Sequence, residues 1–189
     1  LLDIFSGAGT GYKGTVSVDG TDVSQGYCPV KSPWVCIEPC GSWPPEMKVS
    51  SLLGFLKRGL YTDPGHYEEL YITMNMEELA HKKIKKLKET EKRQLLFSLM
   101  RLKDPGNYII RDLARGMPLE FKLELKNRIN EMKKKGCSIL YLCDDVLFAP
   151  EIGDRVGFLK KGRLLLELSA QRMSKMDLQE LHFNFLAEG

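Results

Sequence analysis

No apolar run in this sequence approaches the roughly 20 residues that a membrane-crossing helix needs. A basic stretch leading into an apolar one and a small-residue cleavage site, the mark of a secretory leader, is also missing. Contact with a membrane is therefore expected only through a partner. Neither sign of charge dominates: 28 Lys and Arg stand against 25 Asp and Glu, for a net charge of +3. That balance gives no electrostatic reason to expect nucleic acid or an anionic lipid surface. Histidine is scarce, and His66, His81 and His182 form no constellation. The five cysteines are odd in number, which suits a reducing, cytoplasmic setting better than a disulfide framework. Cys36 and Cys40 with Cys28 nearby lack a fourth ligand at zinc-finger spacing, so no metal is assigned. Cys137 and Cys143 bracket an apolar strand and read as small core residues.

What is present is ample apolar material. Hydrophobic residues make up 43% of 189, enough for one domain, or one split into a core and a smaller lobe. Leu1 to Phe5 reads as a helix ended by Gly7. Thr15 to Val18 alternates like a strand and runs into the turn pair Asp19-Gly20. Gly26 to Pro45, rich in Pro, Gly and Cys, reads as loop. Met47 to Lys103 is mostly helical, with Leu95, Leu96, Leu99 and Leu102 as one apolar stripe.

The second half alternates strand and helix. Tyr108 to Ile110 is a short buried strand. Pro118 opens a helix whose inner face is Phe121, Leu125, Ile129 and Met132, and Gly136 closes it. Cys137 to Cys143 is a second buried strand. Val156 to Leu159 and Leu164 to Leu168 form a hairpin across Lys160-Lys161-Gly162-Arg163. Ala170 to Leu186 reads as an amphipathic helix. This alternation predicts a mostly parallel sheet covered by helices. Lys82, Lys83, Lys85, Lys86 and Lys88 form a basic run that reads as a solvated helix face, with an acidic partner or nucleic acid as the other possibility.

Several segments, in order, resemble the ATP-binding domain of ABC transporters. Asp154-Arg155-Val156 with the turn at Gly162 is similar to that family's closing hairpin. Leu87-Lys88-Glu89-Thr90-Glu91-Lys92-Arg93-Gln94 resembles the signature L-S-G-G with its E-K-R-Q flank. Asn107 to Met117 resembles the Walker B strand and its run into the D-loop, and Tyr141 to Asp145 the segment carrying the switch histidine. Gly26-Tyr27-Cys28-Pro29-Val30 resembles the Q-loop. Leu1 to Gly14 resembles the helix after Walker A.

The resemblance implies an α/β, P-loop NTPase-like core with a small antiparallel part and a helical subdomain. Residues 1–45 and 106–189 would form the core and 46–105 the subdomain. It implies an ABC ATPase or permease partner, a cytoplasmic place at the membrane through that partner, and ATP and Mg²⁺ if the nucleotide site functions.

The positions that should do the chemistry depart from the pattern. No G-x-x-x-x-G-K-[ST] occurs, and Gly7 to Gly11 is a Gly-rich turn without its Lys. Walker A would fall before Leu1: either the chain is a truncated version or the protein lacks the motif. In one register Arg111 takes the magnesium position and Asp112 the catalytic one; in the other Asp112 is the metal ligand and Leu113 stands at the base. Neither yields two carboxylates. The simpler reading of Asp112 is a solvated or a structural residue, with an arginine as its partner in the second case.

The signature Ser becomes Lys88, which can still attract phosphate as a flexible point charge, and the two glycines become Glu89 and Thr90, whose side chains block close approach. Val30 replaces the Q-loop glutamine. Asp144, or Cys143 if the register slips, replaces the switch histidine. The D-loop aspartate falls near Pro118. Trp34 and Trp43 flank the Q-loop region and read as an interface or as partly buried. Together the departures imply a degenerate subunit impaired in hydrolysis. Two alternatives stand beside it: a functional ATP-binding subunit with Walker A upstream, and a scaffold or regulatory protein on the same fold.

Overall fold

The computed structural model describes residues 2–6, 9, 11–26, 34–38, 43–59, 76–100 and 106–173. Its centre is a three-stranded parallel sheet in the order β3 (Val35–Ile37), β4 (Asn107–Arg111) and β5 (Ser138–Leu142). The pairing sets Ile37 opposite Ile110 and Arg111 opposite Leu142. β4 is the middle strand and is buried on both faces, so it reads as a continuous apolar run. Its side chains alternate between two cores. Tyr108 and Ile110 join Ile37 and the large helical core, while Ile109 joins Leu2, Phe5, Val23 and Trp34 on the other face.

β3 corrects the expectation of an unbroken loop from Gly26 to Pro45. Three residues are too few to show a period, and the surrounding Pro and Cys mask them. What makes them a strand is the ladder offered by β4, a tertiary contact. Trp34 anchors its start. The side chain is fully buried, and its indole N–H donates to the carbonyl of Phe5 at 3.0 Å. Trp43 packs half-buried against the large core. Both tryptophans therefore serve packing rather than an open surface.

The helix Leu119–Lys134 carries the chain from β4 to β5. Phe121, Leu125, Ile129 and Met132 bury one stripe at helical spacing, and Gly136, at φ 83°, ends it. Pro118 sits at its N-cap, one residue ahead of the first turn. In the middle of the chain lie the helices Val49–Gly59, Met76–Ala80 and Glu89–Leu99. Leu95 and Leu96 are buried as the apolar stripe predicts, with Phe97 and Met100 beside them. The Leu99 side chain and Leu102 lie outside the described residues. The basic run is not a regular helical face: it passes through a turn, an isolated bridge from Lys83 to Lys48 and a short 3₁₀ turn, Ile84–Lys86. Lys82 pairs with Glu91, and Lys83 and Lys85 both pair with Glu46.

Two hairpins flank the sheet. β1 (Ser17–Val18) and β2 (Thr21–Asp22) turn through Asp19 and Gly20, both at positive φ, as a type I′ turn requires. β6 (Arg155–Lys160) and β7 (Arg163–Ser169) turn in the same way through Lys161 and Gly162. Their inner residues Phe158 and Leu168 form a small core with Met173 of the helix Ala170–Met173. The rest of the expected C-terminal helix lies outside the described residues. Among these residues no helix is long and apolar enough to cross a membrane.

Candidate functional site

In an open parallel sheet, ligands bind where the strands end at their carboxyl side. Here that edge carries Glu38 after β3, Arg111 and Asp112 at the end of β4, and Cys143, Asp144 and Asp145 after β5. Asp112 leaves the strand with φ at 47°, a left-handed conformation that aspartate tolerates better than most residues. Three contacts hold it there. Its N–H donates to the carbonyl of Leu142 at 2.7 Å, and its own carbonyl accepts from the N–H of Arg115 at 3.3 Å and from the guanidinium of Arg93.

The structure brings two of the expected site residues together. Nη1 of Arg115 lies 3.4 Å from Oδ2 of Asp112 and 3.3 Å from Oδ2 of Asp144. Asp112 is thus paired with an arginine, as its structural reading anticipates. The Asp112 side chain is mostly covered, at 17% exposure, while Asp144 stands 65% exposed. Arg111 is exposed at the end of β4.

Asp145 has a separate role. It accepts from the N–H groups of Leu147 and Phe148 at 3.1 and 3.0 Å and pairs with Lys122 at 3.0 Å. Burial pushes its pKa up, but the Phe148 N–H and Lys122 outweigh burial and hold it below the usual carboxylate value. The Cys143 thiol is pushed up to about 11, chiefly by burial and further by the charges of Asp112, Asp145 and Asp144. It is half-buried and poorly suited to act as a thiolate. Tyr141 is raised as well, first by burial. Its hydroxyl accepts the N–H of Ala114 at 3.0 Å, fixing the turn that carries Asp112 and Arg115.

Lys88, Glu89 and Thr90 stand exposed at the start of the Glu89–Leu99 helix. A bare helix N-terminus offers free N–H groups to an anion. Here the chain fills part of that role itself. The N–H of Lys88 donates to Oε2 of Glu91 at 2.8 Å, and Glu89 pairs with Lys92 at 2.6 Å. Glu91 is held below the usual glutamate pKa, first by Lys82 and then by that N–H; Glu89 is lowered by Lys92. One turn on, Arg93 ties this helix to the carbonyl of Asp112. In the sequence Arg93 is only part of a flank and Tyr141 only part of a strand. The signal that marks either as a site residue is three-dimensional. Val30 lies outside the described residues.

A second feature, a cavity of about 1200 Å³, runs along β5 toward β6 and is lined by Ile139, Tyr141, Asp144, Arg155 and Phe158 among others. It borders the carboxyl edge without enclosing the Asp112–Arg115–Asp144 group.

No family model matches the sequence, and no curated protein matches it. Solved structures do. An ATP-binding subunit of an ABC transporter superposes with a TM-score of 0.79 at 19% identity, over 97% of this chain and 81% of that one. A dimeric ATP-binding cassette in a post-hydrolysis state, bound to ADP and Pi, gives 0.69 at 14% identity, over 89% and 78%. At such identities the likeness speaks for the fold. The chain has the P-loop NTPase-type fold of the ATP-binding subunits of ABC transporters.

Proposed function

We propose that this chain is a degenerate ABC ATPase-like subunit, impaired or inactive in ATP hydrolysis, that acts by association with an ABC ATPase or a permease. The observation that carries the reading is the start of the Glu89–Leu99 helix. Phosphate recognition by a helix N-terminus needs small residues and free N–H groups. This one presents Lys88, Glu89 and Thr90 in the open, with Glu91 already bound to the first N–H and Glu89 adding negative charge. The carboxyl edge supports it: Arg111 stands where one register puts the metal ligand, and Asp112 is paired with Arg115. Residues 46–105 supply only helices, one bridge and a 3₁₀ turn among the described residues, in keeping with a helical lobe inserted in an α/β core.

On this reading Asp112 and Asp144 are structural relics of the catalytic positions, and Lys88, Glu89 and Thr90 those of the signature. The partner supplies whatever turnover the assembly has, and the chain meets the membrane through it. Two measurements test this. Purified protein should show no Mg²⁺-dependent ATP turnover above a mock preparation, and clear turnover sinks the reading. Tagged protein should co-purify with an ABC ATPase or permease; recovery as an isolated species favours a scaffold instead.

A further inference from the structure

The nucleotide chemistry implied by the fold uses a divalent cation, and this sheet edge does not fit one. A hard cation needs several oxygen ligands free to converge on it. The side-chain oxygen of Asp112 contacts Arg115, and its main-chain oxygen accepts from Arg93. Asp144 contacts the same nitrogen of Arg115. Among the described residues no three of His, Cys, Asp and Glu are placed to hold a metal ion. Arg93 on the Asp112 carbonyl and Arg115 on both carboxylates bring two positive charges that oppose a dication.

We infer that Arg115 is the built-in counterion of this edge, its guanidinium taking the place between Asp112 and Asp144 that a divalent cation would need. The inference rests on the reading of the chain as degenerate and deepens it, by naming what occupies the cation position. Local geometry favours the occupancy. Arg115 leaves the same turn as Asp112, three residues on, and that turn is fixed by the bond from the Arg115 N–H to the Asp112 carbonyl and from Met117 N–H to Ala114 O. A tethered cation meets its two carboxylates at a high effective concentration. It also joins the loop after β4 to the loop after β5. The contact is largely solvent-exposed, with the Arg115 side chain at 63%, so its loss should cost the fold little. Its role is to exclude rather than to stabilise.

The test is Mn²⁺ binding, followed by the loss of the free-ion paramagnetic signal in the absence of nucleotide. Native protein should bind no Mn²⁺ in the millimolar range that depends on Asp112. R115Q should gain at least tenfold in Mn²⁺ affinity, and the R115Q/D112N double variant should lose the gain. R115K, which keeps the charge, should behave like the native protein. Native protein that binds Mn²⁺ and loses it with D112N overturns the inference. So does an R115Q protein that melts like the native one and binds no tighter. If R115Q melts early, the native and D112N comparison decides alone. None of these readouts involves turnover, so ATP hydrolysis by the native chain would sink the functional reading, whereas Asp112-dependent Mn²⁺ binding would sink the counterion.

Discussion

The hydroxyl of Tyr141 is a small group with a defined role. It accepts the Ala114 N–H in a place where water has little access. Tyr141→Phe should leave that amide without its acceptor and cost about 1–3 kcal/mol in denaturant unfolding. An unchanged midpoint would mean that water replaces the hydroxyl. Cys143 gives a second prediction. Its thiol titrates near 11 in the folded protein and near 8.5 when free, so at pH 8 it should be alkylated about two orders of magnitude more slowly than a free cysteine. Peptide-resolved mass spectrometry reads this directly; fast labelling would place Cys143 in the open. The same shift has a stability consequence. The raised folded value contributes stability that is fully present below the unfolded pKa and is lost as pH rises toward about 11.

Among the elements, the Glu89–Leu99 helix depends on Glu91 twice, once for the Lys88 N–H and once for Lys82. Glu91→Gln should cost about 1 kcal/mol through the weakened cap. Its pKa is lowered in the folded state, so the stability it gives is present above the ordinary glutamate range and is lost as pH falls through the folded value. The melting temperature should therefore drop on acidification below about pH 4.3, and less steeply in Glu91→Gln. Parallel pH slopes in the two proteins would remove Glu91 from the account. The Leu119–Lys134 helix rests instead on its buried stripe. Leu125 is fully buried, and Leu125→Ala should cost about 2–5 kcal/mol. Both helices bury apolar residues in the same core, and the first is held at its end by charge as well.

For the whole molecule, an open sheet edge and exposed leucines belong together. Among the described residues β5 pairs with β4 alone, and Leu140, Leu159, Leu164 and Leu165 are exposed on β5 and the final hairpin. Unpaired backbone beside apolar side chains favours association. Replacing Leu164 and Leu165 with lysine should shift sedimentation toward the monomer; an unchanged distribution would clear the hairpin of any part in self-association.

What the sequence determined by itself was periodic or local. The stripe Phe121–Leu125–Ile129–Met132, the apolar β4 and the turn pairs Asp19-Gly20 and Lys161-Gly162 each carry their structure in neighbouring residues, through helical spacing, double-sided burial or positive φ. Lys88, Glu89, Thr90, Asp112 and Asp144 stood out in the sequence only through the resemblance to ABC ATP-binding domains, which assigns a residue type to each position. Only the tertiary structure decided the rest. Val35–Ile37 is a strand because β4 lies alongside it, and Trp34 is buried because Phe5 offers it a carbonyl. Asp112 and Asp144, 32 positions apart in the chain, meet on one guanidinium because parallel pairing brings the ends of β4 and β5 side by side. Such long-range pairings leave no period in the chain, and their partners become visible only once the sheet has formed.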